Sequence, residues 1–496
     1  MRFFEGVLIA VHILWLCSFL FRFDVKVKVI TNVIALILLV IHLGLEGYRW
    51  QMGLTYILFI LLTVFTMKPF IESNVEKATI ERAKKNKRKV KKLLYIWFIF
   101  IYSFSSFGLV TIMPVFHLPK PLGPFEVGMN SRYLIDESRH DSEQKGHELM
   151  IQIWYPAEVK DDAKDSRYES FPYEEWSGTM EFIFSVPRFL FEYLKYGQTN
   201  SIKDIAVSNQ EDKYPVLLFS HGFGSTRMQS YSQMEELASH GYFVVSVDHM
   251  NDAAYTKFPD GREIMNQTDA YSYSFTIEDE KDVKTRSKDM SYLLDQLSMI
   301  NDKDPRGLFT GKMDMDKIGI FGHSYGGSTA AQALLDDSRI SAGINIDGPL
   351  HEPVAISGFE QPFMFILNED YLYLSDEEIQ YTNITSEEFQ KYHNKITELA
   401  DFHYKEGIKG DTFMLTFIAG DHYTFTDFPF LSPLLSWNID VNQFHQVMNR
   451  YILAFFDHYV KGADSDVLLT KEKMEDKFYY YKTNIKSDLT DEKINS

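Results

Sequence analysis

A single cysteine, Cys17, occurs among the 496 residues. That excludes an internal disulfide framework and a cysteine-ligated zinc site, and it leaves stability to core packing. Basic charge is short as well: 50 Lys and Arg stand against 69 Asp and Glu, a formal charge of −19. So acidic a chain lacks the electrostatic footprint of a nucleic-acid binder. No Cys/His cluster stands at metal-ligand spacing, and no metal or cofactor is expected. Internal repeats and low-complexity tracts are absent too.

Long apolar runs are abundant, and all lie in the first quarter. Residues 1–21, about 29–47, about 52–71 and about 93–115 each approach the roughly 20 apolar residues that cross a bilayer. They show almost none of the polar face of a buried soluble helix. A cleaved leader is a poor reading of the first run, which has only Arg2 at its head and no small-residue cleavage site. About four transmembrane helices are therefore expected over residues 1–116. The intervening segment 75–92 (VEKATIERAKKNKRKVKK) holds nine basic residues, which places it on the cytoplasmic side. Counting forward, everything after about Phe116 is expected on the extracytoplasmic side of a cell membrane. Residues 1–117 carry 15 basic and 6 acidic residues, leaving 35 against 63 in the remainder, a formal −28. That part would be repelled by an anionic surface.

From Gly123 the pattern changes to short β-rich runs: MIQIWYP (150–156), PVLLFSH (215–221), YFVVSVDH (242–249), KIGIFGHS (317–324), SAGINID (341–347), PFMFIL (362–367) and FMLTFIAG (413–420). Helical, charged stretches such as MQSYSQMEELASHG and KDVKTRSKDMSYLLDQLSMI lie between several of them. Such alternation predicts an α/β domain over 117–467, a mostly parallel sheet covered by helices on both faces. Residues 468–496 read as a polar tail with a frayed end.

Gly322-His323-Ser324-Tyr325-Gly326 is a G-x-S-x-G pentapeptide set between an apolar strand and a helical run. A sharp strand-to-helix turn leaves no room for side chains beside the serine, and it lifts Ser324 onto a helix N-terminus that favours an oxyanion. This is the nucleophile elbow of an α/β-hydrolase. His221-Gly-Phe-Gly224 ends an earlier strand where that fold places its other oxyanion donor, so the backbone N–H groups of Phe223 and Tyr325 are the candidate hole. The His221 side chain itself reads as structural. The chain order Ser, acid, His points to His422, just past the last strand, as the base. His351, His393, His403, His445 and His458 end no suitable strand. Position alone leaves the acid open between Asp347 and Asp370, each following a strand. Asp248, at the end of an earlier strand, reads as structural.

GPFEVG (123–128), YPVLLFSHGFGSTRMQSYSQMEELASHGYFVVSVDH (214–249), DKIGIFGHSYGGSTAAQALLDDSRISAGINIDG (316–348), PFMFILNEDY and GDHYTFTDF together resemble the platelet-activating factor acetylhydrolase family of plasma and intracellular type, over about 123–459. The resemblance implies a calcium-independent serine ester hydrolase with Ser324, Asp347 and His422 as its triad, which moves the acid towards Asp347. It places the oxyanion donors on Phe223, where the family usually has leucine, and on Tyr325, where it usually has phenylalanine. The implied partners are a short-chain or phospholipid-type ester and membrane lipid. Trp176–Tyr196, rich in Phe and Leu, falls where the family has apolar surface helices near the site mouth, and reads either as a lid or lipid-facing surface or as core. FPFLSPLLSW (428–437) reads as pocket wall or core. The four apolar runs depart from the plasma enzymes, which begin with a signal peptide. A membrane-tethered acyltransferase using the same triad, or a non-catalytic sensor domain, remain the alternative readings.

Overall fold

A computed structural model of the chain describes residues 1–71, 85–139, 146–158, 168–250, 252–266, 280–351, 354, 358, 360–369, 409–468, 472–475 and 479–484. The chain divides into two compact units, Met1–Phe116 with Leu431–Leu435, and His117–Phe430 with Ser436–Ser496.

The first unit contains four helices: α1 (Phe3–Leu20), α2 (Val25–Leu45), α3 (Gly53–Ile71) and α4 (Lys85–Ile112). Each is long and apolar enough to cross a membrane. Apolar side chains fill the interior of this unit, as Leu8, Trp15 and Leu62 do, and also cover its outside. Ile30, Val40, Ile57, Ile60, Trp97 and Phe104 point outwards, whereas Glu5, His12, Asn32, His42, Thr55 and Ser106 are buried. Polar groups that find no water must find each other. Asn32 Nδ2 donates to Thr63 Oγ1 at 2.7 Å, and His42 Nε2 meets the Tyr56 hydroxyl at 2.7 Å. Arg49, fully buried before α3, pairs with the equally buried Glu5 at 2.8 Å and also donates to the Met113 carbonyl. The four expected apolar runs fall on these helices. Of the basic run 75–92, residues 75–84 lie outside the described residues.

The second unit is built on one mixed sheet. Its strands are β1 (Glu126–Asp136), β2 (His147–Ala157), β3 (Tyr168–Ser170), β4 (Gln198–Lys203), β5 (Tyr214–Ser220), β6 (Phe243–Asp248), β9 (Met313–His323), β10 (Ala342–Ile346), β11 (Phe363–Asn368), β12 (Thr412–Phe417), β13 (Glu472–Glu475) and β14 (Tyr479–Asn484). A separate hairpin, β7 (Tyr255–Lys257) with β8 (Glu263–Met265), stands apart from it. The helices of this unit are α5 (Tyr173–Phe184), α6 (Tyr231–Ser239), α7 (Glu280–Asp302), α8 (Tyr325–Asp336) and α9 (Val441–Phe456).

The strand order is β13-β14-β12-β11-β10-β9-β5-β6-β2-β1-β4-β3. The central six, from β12 to β6, run parallel, while β2 and β14 join antiparallel on either side. All seven strands expected from the sequence are present. Their near-continuous Val, Ile, Leu and Phe content follows from burial on both faces. Val216, Leu218, Val245, Ile318 and Ile320 pack there against Met290, Leu293 and Leu297 of α7 and Ala330, Ala331 and Leu334 of α8. β5 has β6 on one side and β9 on the other, so the loops after β5 and β9 part and open a crevice at the carboxyl ends of the strands.

The C-terminal segment differs from its expected character as a polar tail. Tyr479–Asn484 pairs along β12, with Phe413 opposite Thr483 and Leu415 opposite Tyr481. Tyr479 and Tyr481 are each 1% exposed, and the Tyr481 ring lies 4.7 Å from that of Tyr451. Buried Tyr479 and Tyr481 seat this short strand between β12 and the edge strand β13, a pattern too brief to stand out beside the long apolar runs. Truncating Tyr481 to Ala is expected to cost about 3 kcal/mol, as large-to-small changes at buried aromatic sites do. Thermal denaturation of the full-length protein in detergent would measure this, and a loss below about 0.5 kcal/mol would show that β14 contributes nothing to the core.

Candidate active site

Ser324 sits between β9 and α8 with φ 56° and ψ −126°, a left-handed backbone that a non-glycine residue adopts at a cost of about 1–3 kcal/mol. Crowding enforces the flanking glycines. A Cβ on Gly322 would lie 2.1 Å from the Gly326 carbonyl oxygen, and one on Gly326 would lie 1.9 Å from that of Ser220. The elbow is pinned by its own amides: Ser324 N–H donates to Ile346 at 2.8 Å, and Gly327 N–H donates back to Ser324 at 2.8 Å. Ser324 remains partly exposed at the mouth of the crevice, whereas Tyr325 after it is buried.

The neighbouring strand β10 ends at Asp347, which also has positive φ, at 54°. Its carboxylate is held on both oxygens. Oδ1 accepts the Asn368 N–H at 2.8 Å, and Oδ2 stands 2.7 Å from His422 Nδ1. Burial pushes the Asp347 carboxyl above the usual carboxylate range, opposed by the hydrogen bond from His422. A carboxylate in this position keeps the proton on Nδ1 and turns Nε2 into the available base. Gly348 follows because a Cβ there would meet the Ser324 carbonyl oxygen at 2.0 Å. Of the two acid candidates, the structure brings Asp347 to His422, and Asp370 lies outside the described residues.

His422 begins a short 3₁₀ turn, His422–Phe425, capped by Asp421, whose carboxylate accepts Thr424 N–H at 2.9 Å. Two outside contacts hold this loop. His445 of α9 donates from Nε2 to the Thr424 carbonyl at 3.0 Å. Asp427 accepts Ser232 N–H at 2.9 Å at the start of α6, and burial pushes its carboxyl up to about 7.

Residues that no motif singled out join the three loops. Gly222 N–H donates to Gln229 Oε1 at 2.8 Å, so the Gln229 amide group faces His323 Nδ1, 2.8 Å away. His323 must then accept at Nδ1 and donate from Nε2, which it does to the His422 carbonyl at 2.9 Å. Burial, with the neighbouring His422, holds His323 well below its usual pKa, in keeping with this neutral tautomer. The chain Gly222–Gln229–His323–His422 therefore runs in one direction through the loop after β5, the elbow and the loop after β12. His323 is the variable residue of the pentapeptide, but its partners are 94 and 99 residues away in sequence.

His221 has both ring nitrogens engaged, with Gly222 O at 2.7 Å and His249 N–H at 3.2 Å. Asp248 accepts Arg227 N–H at 2.6 Å and the Thr256 hydroxyl at 3.1 Å. Both side chains are thus tied into the surrounding chain by hydrogen bonds. The Trp176–Tyr196 stretch is divided between its two readings. Phe182 packs on Phe223, ring centroids 5.9 Å apart, while Phe184 stacks on Phe428 at 5.5 Å yet is 38% exposed, and Phe189 is 62% exposed. A cavity of about 640 Å³ opens beside Lys120, Glu236, Arg450 and Asp464, and Ser324, Asp347 and His422 do not line it.

The sequence and fold have close parallels among known proteins. The family model described as platelet-activating factor acetylhydrolase, isoform II, matches residues 110–467. The platelet-activating factor acetylhydrolase of Cavia porcellus is 27% identical over 392 residues, covering 73% of this chain and 80% of that protein. The enzyme of that name from Bos taurus is 28% identical over 295 residues, 52% of this chain and 62% of its own length. Among solved structures, a ferulic acid esterase from Streptomyces cinnamoneus superposes with a TM-score of 0.55 at 24% identity, over 72% of this chain and 96% of that one. At that identity the likeness speaks to the fold.

Replacing Gln229 by Leu removes the acceptor of one buried group and the donor to another. Each buried polar group left unsatisfied costs about 1–3 kcal/mol, and two are left here, so Gln229→Leu is expected to lower stability by roughly 2–6 kcal/mol. An unchanged melting curve would show that the chain of bonds is not closed.

Proposed function

This chain belongs to the platelet-activating factor acetylhydrolase, isoform II family and is a carboxylic ester hydrolase; from that premise we propose that Ser324, Asp347 and His422 are its nucleophile, acid and base. The observation that carries the assignment is the 2.7 Å contact between Asp347 Oδ2 and His422 Nδ1, in a loop joined through His323 to the strained Ser324 elbow.

His422 Nε2 takes the Ser324 hydroxyl proton as Oγ attacks the ester carbonyl carbon. The carbonyl oxygen becomes an oxyanion held by the Phe223 and Tyr325 N–H groups, while buried Asp347 stabilises the imidazolium. Collapse expels the alcohol, which leaves with the proton from His422. Water then gives its proton to His422, attacks the acyl-serine, and releases the carboxylic acid with Ser324 restored. The substrate class is a short-chain or phospholipid-type ester.

Residues 1–116 are the membrane anchor, supported by the outward apolar and inward polar side chains of α1 to α4. The segment 75–92 is cytoplasmic, and the catalytic domain 117–467 is extracytoplasmic. Phe189, 62% exposed on the segment that follows α5, offers an apolar surface to lipid.

Full-length protein in detergent should hydrolyse p-nitrophenyl esters. Ser324→Ala should be inactive, Asp347→Asn should lose about 10⁴-fold in kcat, and Asp370→Asn should be nearly normal. An active Ser324→Ala enzyme would sink the assignment. Phe189→Ser should lower turnover of vesicle-borne ester and spare a soluble short-chain ester, and equal loss on both would remove the lipid-facing role. In a Cys17→Ala background, a membrane-impermeant maleimide applied to intact cells should label Lys213→Cys and leave Lys87→Cys untouched. The opposite pattern would reverse the orientation.

A further inference from the structure

Below the proposed oxyanion hole lies a buried cation that the triad does not use. Arg286, on α7, is 1% exposed. Its Nη1 donates to the His221 carbonyl at 2.7 Å, and its Nε pairs with Asp252 at 2.6 Å. The Asp252 backbone carbonyl accepts Gly224 N–H at 3.0 Å. One guanidinium thus fixes the chain on both sides of Phe223, directly at His221 and through Asp252 at Gly224. The same guanidinium lies 4.6 Å from the centre of the Tyr325 ring, within the range of a cation–π contact. Phe223 and Tyr325 are the two residues whose amides form the hole, and Arg286 touches the surroundings of both.

A second grip comes from the same face of α7. Asp289, three residues on, is bonded to His249 Nδ1 at 2.8 Å, and His249 Nε2 meets Ser220 Oγ at 2.9 Å. These three side chains reproduce the connectivity of a serine hydrolase triad. All are buried at 1% exposure or less, out of reach of substrate, so their work is mechanical: they hold the end of β5 where the oxyanion loop begins. His249 N–H adds a bond to His221 Nε2 at 3.2 Å.

The geometry points to Arg286 as a positioning residue of the oxyanion hole, setting the separation and direction of the Phe223 and Tyr325 amides without touching substrate. The inference rests on the hole assigned above. Planarity is essential to it, because one flat group with donors on two edges and a face against a ring makes all three contacts together. An ammonium on a flexible stem cannot.

The test compares wild type, Arg286→Lys, Arg286→Met and the double variant Arg286→Met with Asp252→Asn, as full-length protein in detergent. The double variant serves in case an uncompensated Asp252 prevents Arg286→Met from folding. Each is assayed with p-nitrophenyl butyrate and with a short-chain alkyl trifluoromethyl ketone, which adds Ser324 to its carbonyl carbon and leaves an oxyanion in the hole. Losing a hole donor outright costs about 10²–10³-fold, and misplacing two should cost roughly 10–100-fold in kcat/KM with KM within about two-fold. The inhibition constant for the ketone should rise by the same factor, and Arg286→Lys should recover only part of the loss. If kcat/KM falls while the ketone binds as before, or if only the melting temperature changes, Arg286 is a structural residue and the inference is overturned. A wild-type enzyme indifferent to the ketone would overturn the triad reading, and this inference with it.

Discussion

The backbone of the elbow presses directly on the backbone of the strand beside it, and the site depends on that contact. Gly326 stands against the Ser220 carbonyl, and Gly348 against that of Ser324, each so closely that one added carbon would overlap an oxygen. The ends of β5, β9 and β10 are thereby locked at one height. From that edge Ser324 projects with a strained backbone, and the loop after β5 lies alongside it. Strain of this kind persists only where the surroundings over-determine the conformation. Here the surroundings are a six-strand parallel core packed by helices on both faces.

Buried polar bonds then orient what the strands bring together. Gln229 and His323 have their donor and acceptor roles assigned by their neighbours, so the chain from Gly222 to His422 admits one arrangement. Breaking any link leaves a group desolvated and unpaired, which costs more than the link itself contributes. The buried Ser220–His249–Asp289 chain obeys the same logic on the other side of β5. It shows that triad connectivity without access to substrate is a building device. Geometry and exposure together separate it from Ser324, Asp347 and His422.

In α1 to α4 large apolar side chains such as Ile30, Ile57 and Phe104 face outwards and the charged pair Glu5–Arg49 is enclosed with Leu8 and Trp15, whereas in the second unit Val, Ile and Phe are enclosed by an acidic exterior. The basic excess of residues 1–117 and the acidic excess of the remainder follow this division. The second unit remains free to be acidic because its stability comes from apolar burial.

By itself the sequence determined the apolar helices, the seven principal strands, the elbow at Ser324 and the end-of-strand position of His422. Each of these depends on a local pattern: a run of about 20 apolar residues, a short β-branched run, or glycines flanking a serine. Position could not choose between Asp347 and Asp370, and resemblance favoured Asp347; the structure adds its contact with His422. β14 escaped notice because it is one short strand set in a charged stretch of sequence. Gln229, His323 and Arg286 were not legible as a network. Their partners lie tens of residues away in sequence, and whether a buried amide, imidazole or guanidinium has a role is decided by the directions of its hydrogen bonds, which exist only once distant strands and helices are packed together.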